Sequence, residues 1–209
     1  MTLKNRRDDT PPVVTGLGDV VLNTDQNNTN QGNTKLEKLA PTNVVLKTNK
    51  GDIELLLYTD KAPITAGNFV ELVRGDFYDN TKFHRVIKNF MIQGGDPQTK
   101  DDSLMAMWGM GGSGVKIQDE FVEGLSNMRG TISMANSGPN TGSSQWFINL
   151  VDNPYLDFDK TLPGMPDSKH AVFGKVVAGI EVVDAIGAVA TEGQDRPVEP
   201  VVILDVVIK

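Results

Sequence analysis

From about residue 43 onwards, apolar residues come in short runs of five to eight, separated by clusters of Gly, Asn, Asp and Pro. Runs of that length bounded by turn formers read as β-strands. The pattern predicts eight of them, at residues 44–48, 53–58, 83–87, 90–94, 131–135, 145–150, 171–177 and 201–208. Asn49, Lys50 and Gly51 form a short glycine-containing connection between the first two, which makes those strands antiparallel neighbours. Eight strands of this size predict a mostly β protein, a closed eight-stranded antiparallel β-barrel.

Two segments switch to a helical period. Ala66, Phe69, Val70 and Val73 fall at i, i+3, i+4 and i+7, after Pro63 and before Gly75. A second helix is predicted from about 179 to 186, with Ile180, Val183 and Ile186 in one apolar stripe. Both are too short to stand alone, so each is expected to plug an open end or flank of the barrel.

The first 42 residues have another texture. They hold no aromatic side chain, and Asn23 through Gly32 is almost entirely polar, a composition that cannot offset its ordering entropy by burial. Residues 1–42 are therefore read as a polar arm, with a small apolar patch at Val20 to Leu22, and 43–209 as the folded domain.

Composition removes several functions. Among 209 residues, 39% hydrophobic and 22% charged, no stretch approaches the roughly 18 to 20 apolar residues of a membrane-spanning helix. No secretory apolar core stands in the first 30 residues, so a cytoplasmic, monomeric protein is expected. The absence of cysteine leaves no thiolate nucleophile and no Cys-ligated metal. With 27 acidic against 20 basic residues, a net charge of -7 repels polyanions, and the basic cluster Lys4, Arg6, Arg7 sits at a terminus. Neither nucleic acid nor membrane is an expected partner.

The two histidines, His84 and His170, lack the neighbouring ligands of a metal site, so neither metal nor cofactor is expected. Alternation sends His84 and Arg85 to opposite faces of a strand. On the residues alone, His84 reads as a hydrogen-bonded structural histidine beside a surface arginine, and Phe90, Met91, Phe147 and Leu156 as core. Ser143 and Ser144 lack a Gly-x-Ser-x-Gly elbow. The stretch Gly109 to Gly114 matches a dinucleotide fingerprint, but residues 115–120 carry no helical period after it, so a glycine loop is the better reading.

Longer patterns are more specific. Phe83-His84-Arg85, Phe90-Met91-Ile92-Gln93-Gly94-Gly95-Asp96, the run from Met134-Ala135-Asn136 through Ser144-Gln145-Trp146-Phe147-Ile148, and Ala171-Val172-Phe173-Gly174-Lys175-Val176 stand in that order. Together they resemble the cyclophilins, the barrel family of peptidyl-prolyl cis-trans isomerases, over about residues 44–209. The resemblance implies a catalytic role for Arg85, Gln93 and His84. It implies an apolar proline pocket of Phe90, Met91, Phe147 and Leu156, a peptide-holding segment at Ala135 and Asn136, and His170 on the far wall. Its implied partners are proline-containing peptides and unfolded or folding proteins.

Four departures stand out. Residues 157–169 look like an insertion beside the groove, expected as a surface loop. Tyr155 stands where many eukaryotic members have tryptophan, so only weak cyclosporin binding is expected. Ser137 replaces a frequent alanine, and Lys88-Asn89 replaces a common Pro-Gly turn, a change expected to be structural. Two rival functions carry different requirements: a proline-binding interaction module working through the arm or insertion, and a holdase using exposed methionines around Met105, Met107 and Met110.

Overall fold

The computed structural model describes residues 40–160 and 169–209. Most of the arm and the centre of the 157–169 insertion lie outside the described residues. Eight strands build the main sheet: β1 (Thr42–Thr48), β2 (Gly51–Leu57), β3 (Arg85–Ile87), β4 (Met91–Gly94), β5 (Thr131–Met134), β6 (Trp146–Asn149), β7 (Val172–Ala178) and β10 (Ile203–Ile208). Their order is β10-β1-β2-β7-β5-β6-β4-β3, and every pairing is antiparallel.

The expectation of a closed barrel is corrected. The sheet curls into a half-barrel whose edge strands, β3 and β10, do not pair as a ladder. Their approaches meet at one bridge, Lys82 to Val202, supported by Phe83 N–H donating to Val201 O at 2.9 Å and Ile203 N–H donating to Thr81 O at 2.8 Å. The reason is local. Asn80 turns the chain at φ +61°, and Pro197 and Pro200 supply no N–H, so neither edge extends as a regular strand through the seam. The predicted strand 83–87 keeps only Arg85–Ile87. A second sheet pairs β8 (Thr191–Glu192) with β9 (Arg196–Pro197), two residues each and too short to leave a periodic trace.

Helix α1 (Pro63–Arg74) buries Ala66, Phe69, Val70 and Val73, the predicted stripe. Its free N-terminal amides are satisfied from afar, Ile64 and Thr65 donating to the Glu120 carboxylate at 3.2 and 2.8 Å. Phe69 enters an aromatic cluster with Tyr78, Trp146 and Phe173, so α1 seals the hollow of the sheet. Helix α2 (Ile180–Gly187) buries Val183 and Ile186, whereas Ile180, expected in the same stripe, is 36% exposed. It follows Gly179 at φ +80°, where a Cβ would stand 2.2 Å from Asp52 O, so strand and helix approach more closely than a side chain allows.

Alternation across the sheet makes two apolar clusters. Val86, Ile92, Ile148 and Ile132 lie in register and are buried in the main core. The adjacent row, Arg85, Gln93, Phe147 and Ser133, points to the other face. There Met91, Phe147 and Leu156 form a separate small cluster.

Candidate active site

This outer row sets up the site. Arg85 is opposite Gln93, and Gln93 opposite Phe147, so a cation, an amide and an aromatic ring project side by side. Met91, two residues before Gln93, shares their face. Leu156 arrives on the 3-10 turn Pro154–Leu156 and packs on Met91 and Phe147, with Phe90, Ala135 and Tyr155 at the margin. Phe90 and Tyr155 stack with centroids 6.4 Å apart. Asn89, in the departing Lys88-Asn89 turn, adopts φ +60°, a conformation asparagine tolerates better than most residues. That turn delivers Phe90 to the cluster.

His170 closes the far side, its ring edge-on to Phe147 at 5.2 Å. Its Nδ1–H donates to Met134 O at 2.9 Å. Burial lowers the imidazole pKa, opposed by that hydrogen bond. Asn136 donates from its amide to Lys169 O at 2.7 Å, and Ala135 N–H donates to Gln145 O at 3.0 Å. The structure thus packs Phe90, Met91, Ala135, Phe147, Tyr155 and Leu156 in one cluster with His170 on Phe147, sets Gln93 and then Arg85 beside Phe147 across the ladder, and places Asn136 with Ala135 and Gln93 along one cleft.

His84 is placed differently. It is buried beneath the glycine loop, 3.6 Å from where a Cβ on Gly109 would sit. Burial lowers its pKa to about 4, with nearby Asp96 opposing the shift. It is a neutral ring supporting the groove wall.

Three parts of the site were not legible from residue patterns. The first is a buried polar network behind the apolar cluster. Asp157 accepts from Ser126 Oγ at 2.5 Å and from Asn127 N and Nδ2 at 2.8 and 2.9 Å. Asn127 in turn accepts from Ser133 Oγ at 2.7 Å and donates to His170 O at 3.2 Å. Asn153 links Asn149 to Phe90 O at 2.8 and 3.1 Å. These bonds tie together the segments that carry Phe90, Phe147, Leu156 and His170. Scattered asparagines have no periodic signature, so only contact reveals them.

The second is Gln145. It accepts from Gln93 Nε2 at 2.9 Å and donates to Gly109 O and Gly111 O at 2.9 and 2.7 Å. Asp96 grips the same loop, accepting from Gly109 N and Gly111 N at 2.5 and 3.2 Å. A Cβ on Gly111 would lie 2.1 Å from the Asp96 carboxylate, so glycine is required for this close approach. The loop opens no helix, and it walls a cleft of about 710 Å³ lined by Gln93, Ala135, Asn136, Ser137 and Gln145. Ser143 is hydrogen-bonded to Ser113 Oγ at 3.0 Å, and Ser144 to Gly95 O at 2.7 Å, so both serve structure.

The third is Asp195. Its carboxylate accepts from Arg85 Nε at 3.3 Å, at the edge of a second cleft of about 390 Å³ between Trp108 and the 194–196 turn.

A family model described as cyclophilin type peptidyl-prolyl cis-trans isomerase/CLD matches residues 43–208. Peptidyl-prolyl cis-trans isomerase-like 1 of Gibberella zeae is 46% identical over 167 residues, spanning 78% of this chain and 92% of that protein. A peptidyl-prolyl cis-trans isomerase of Acinetobacter baylyi is 46% identical over 178 residues, 82% of this chain and 87% of its own. The crystal structure of a Cryptosporidium parvum cyclophilin type peptidyl-prolyl cis-trans isomerase superposes with a TM-score of 0.70 at 31% identity, covering 81% of this chain and 98% of that one. A second crystal structure of it, in the presence of the dipeptide Ala-Pro, gives 0.69 at 32%, covering 80% and 98%.

Proposed function

Since the chain belongs to the cyclophilin-type peptidyl-prolyl cis-trans isomerases, and is an enzyme of that class, we propose that it isomerises X-Pro bonds by non-covalent stabilisation of the twisted amide, with Arg85 as donor to the prolyl nitrogen. Resonance in the peptide bond sets a rotation barrier of about 18 to 20 kcal/mol. Uncatalysed prolyl isomerisation therefore takes about 10 to 100 s. In the twisted state conjugation is lost and the nitrogen regains its lone pair. A donor aimed at that nitrogen stabilises the twisted state more than either planar one. The Arg85 guanidinium stays charged and needs no proton transfer.

Phe90, Met91, Phe147 and Leu156 take the proline ring, with His170 and Tyr155 as walls. Gln93 binds the carbonyl before proline, while Ala135 and the Asn136 backbone hold the preceding residue. His84 supports the strand behind Arg85. An acceleration of about 10⁵ requires only about 7 kcal/mol. The observation that carries this reading is the row Arg85, Gln93, Phe147 on one face of adjacent strands. Ligands of the Ala-Pro type, the dipeptide present with the Cryptosporidium relative, are its smallest substrates' counterpart. The test is prolyl-peptide isomerisation by the parent beside Arg85→Ala, both checked for folding. Turnover in the parent that is lost in the variant supports the mechanism, and equal turnover refutes it.

A holdase function has its own support in Leu104, Met105, Met107 and Met110, exposed on and beside the glycine loop, Met110 to 71%. Suppression of client aggregation by Arg85→Ala at the parent's level would separate that activity from catalysis.

A further inference from the structure

We propose that Asp195 is a positioning residue for catalysis, holding Arg85 by its Nε so that both terminal amino groups of the guanidinium are left to the peptide; this rests on the isomerase reading above. Arg85 lies at the edge of the sheet, with its side chain 45% exposed. A long exposed arginine samples many rotamers, and a donor that must meet a developing lone pair loses effectiveness when it does so. Something has to hold it.

Gln93, its neighbour across the ladder, donates to Gln145, and among the described residues no hydrogen bond joins it to the Arg85 side chain. Among the described residues, the side-chain hydrogen bond of Arg85 is the one from Nε to Asp195 at 3.3 Å. An acceptor at Nε fixes the plane of the guanidinium and leaves its outer nitrogens without a protein partner.

Asp195 is itself fixed. Val86 N–H, the amide next to Arg85, donates to Asp195 O at 2.8 Å, so the acid is anchored to the strand that carries the arginine. The β8–β9 hairpin closes the turn from behind, with Arg196 paired to Glu192 at 2.8 Å and Arg196 N–H donating to Gly193 O at 3.3 Å. Within the turn, Gln194 and Asp195 both adopt left-handed conformations, at φ +56° and +61°. Two successive non-glycine residues in that region persist only where surrounding contacts over-determine them. The ion pair is half exposed on both sides, so it contributes little to stability, and its consequence is the orientation of Arg85.

The test uses two replacements that suit a left-handed turn. Asp195→Gly removes the acceptor, whereas Asp195→Asn keeps an acceptor oxygen and loses the charge. Prolyl-peptide kinetics of the full chain should show kcat reduced about tenfold in Asp195→Gly with KM unchanged, a geometric loss of the kind small misplacements produce. Asp195→Asn should fall between it and the parent. On an Arg85→Ala background, Asp195→Gly should cause no further loss. Nitrogen-15 NMR supplies a readout apart from turnover: the Arg85 Nε–H signal should be protected from exchange in the parent and unprotected in Asp195→Gly. Parental kcat in Asp195→Gly, or an equal loss with and without Arg85, overturns the proposal while leaving the isomerase reading intact. A parent without turnover overturns that reading, and the catalytic role of Asp195 with it.

Discussion

His170 meets Phe147 edge-on, with ring centroids 5.2 Å apart and planes at 84°, while its Nδ1–H is held by Met134 O. One imidazole thus joins the segment after the insertion to the centre of β6. Burial lowers the pKa of this ring, and it lowers that of His84 for the same reason.

Both histidines therefore make stability depend on pH in one direction. Their folded pKa values lie below the ordinary 6.5, His84 at about 4, so the unfolded chain takes up protons that the folded chain refuses. Stability is full above pH about 6.5 and declines as pH falls toward 4; for His84 alone the loss is on the order of 3 kcal/mol. Urea unfolding at pH 7.5 and at pH 4.5 should show it. His84→Leu should flatten the slope, and an unchanged slope would count against this origin.

Arg85→Ala should leave the fold intact, because the side chain is half exposed and its ion pair is solvated. Its kcat/KM for an X-Pro peptide should fall about 10² to 10³-fold, the usual effect of deleting a transition-state donor. Far-ultraviolet circular dichroism with a coupled peptide assay measures both. A variant equally active as its parent would remove Arg85 from the mechanism.

Phe147 and Phe90 should part company on truncation. Phe147 is 5% exposed at the centre of the cluster, so Phe147→Ala should cost about 3 to 5 kcal/mol as well as peptide affinity. Phe90 lies at the margin, stacked on Tyr155, and Phe90→Ala should lose affinity at a smaller cost in stability. Denaturant midpoints and peptide titration of the two variants make the comparison; equal stability losses would contradict the division between centre and rim.

Asp157→Asn tests the network behind the pocket. The carboxylate accepts three hydrogen bonds; an amide keeps one oxygen for the two Asn127 donors but loses the charge and turns an N–H toward Ser126 Oγ, whose hydroxyl must reverse its role. The loss should be about 1.5 to 3 kcal/mol. Thermal unfolding reads it, and a neutral result would mean that Ser126 and Asn127 re-pair without the charge.

Tyr155→Trp places an indole N–H beside Phe90 at the margin of the apolar cluster. Cyclosporin should bind about tenfold more tightly for one added hydrogen bond. Isothermal titration decides, with unchanged affinity meaning that the N–H does not reach the ligand.

Much of the fold was legible because local patterns report burial directly. The stripe Ala66, Phe69, Val70, Val73 is a face of a helix whatever surrounds it, and alternation around Ile92 and Ile148 implies a sheet with two faces. Ile180 misled for the converse reason: its spacing fits the stripe, but the helix buries Val183, Ile186 and Gly187 and leaves Ile180 at the surface. Closure of the barrel was not legible, since it depends on whether two edges far apart in sequence meet in register, and no residue encodes that alone.

The sequence by itself determined the places of the eight main strands, the two helices and the motifs that mark the site, because these rest on periodicity and on residue types within short windows. Tertiary structure decided which groups meet. Asp195 lies 110 residues from Arg85 and Gln145 lies 52 from Gln93, yet each pair is hydrogen-bonded. Such pairings are set by how the curled sheet folds back on itself, through strand register and turn geometry, and they exist only once the chain has closed around its core.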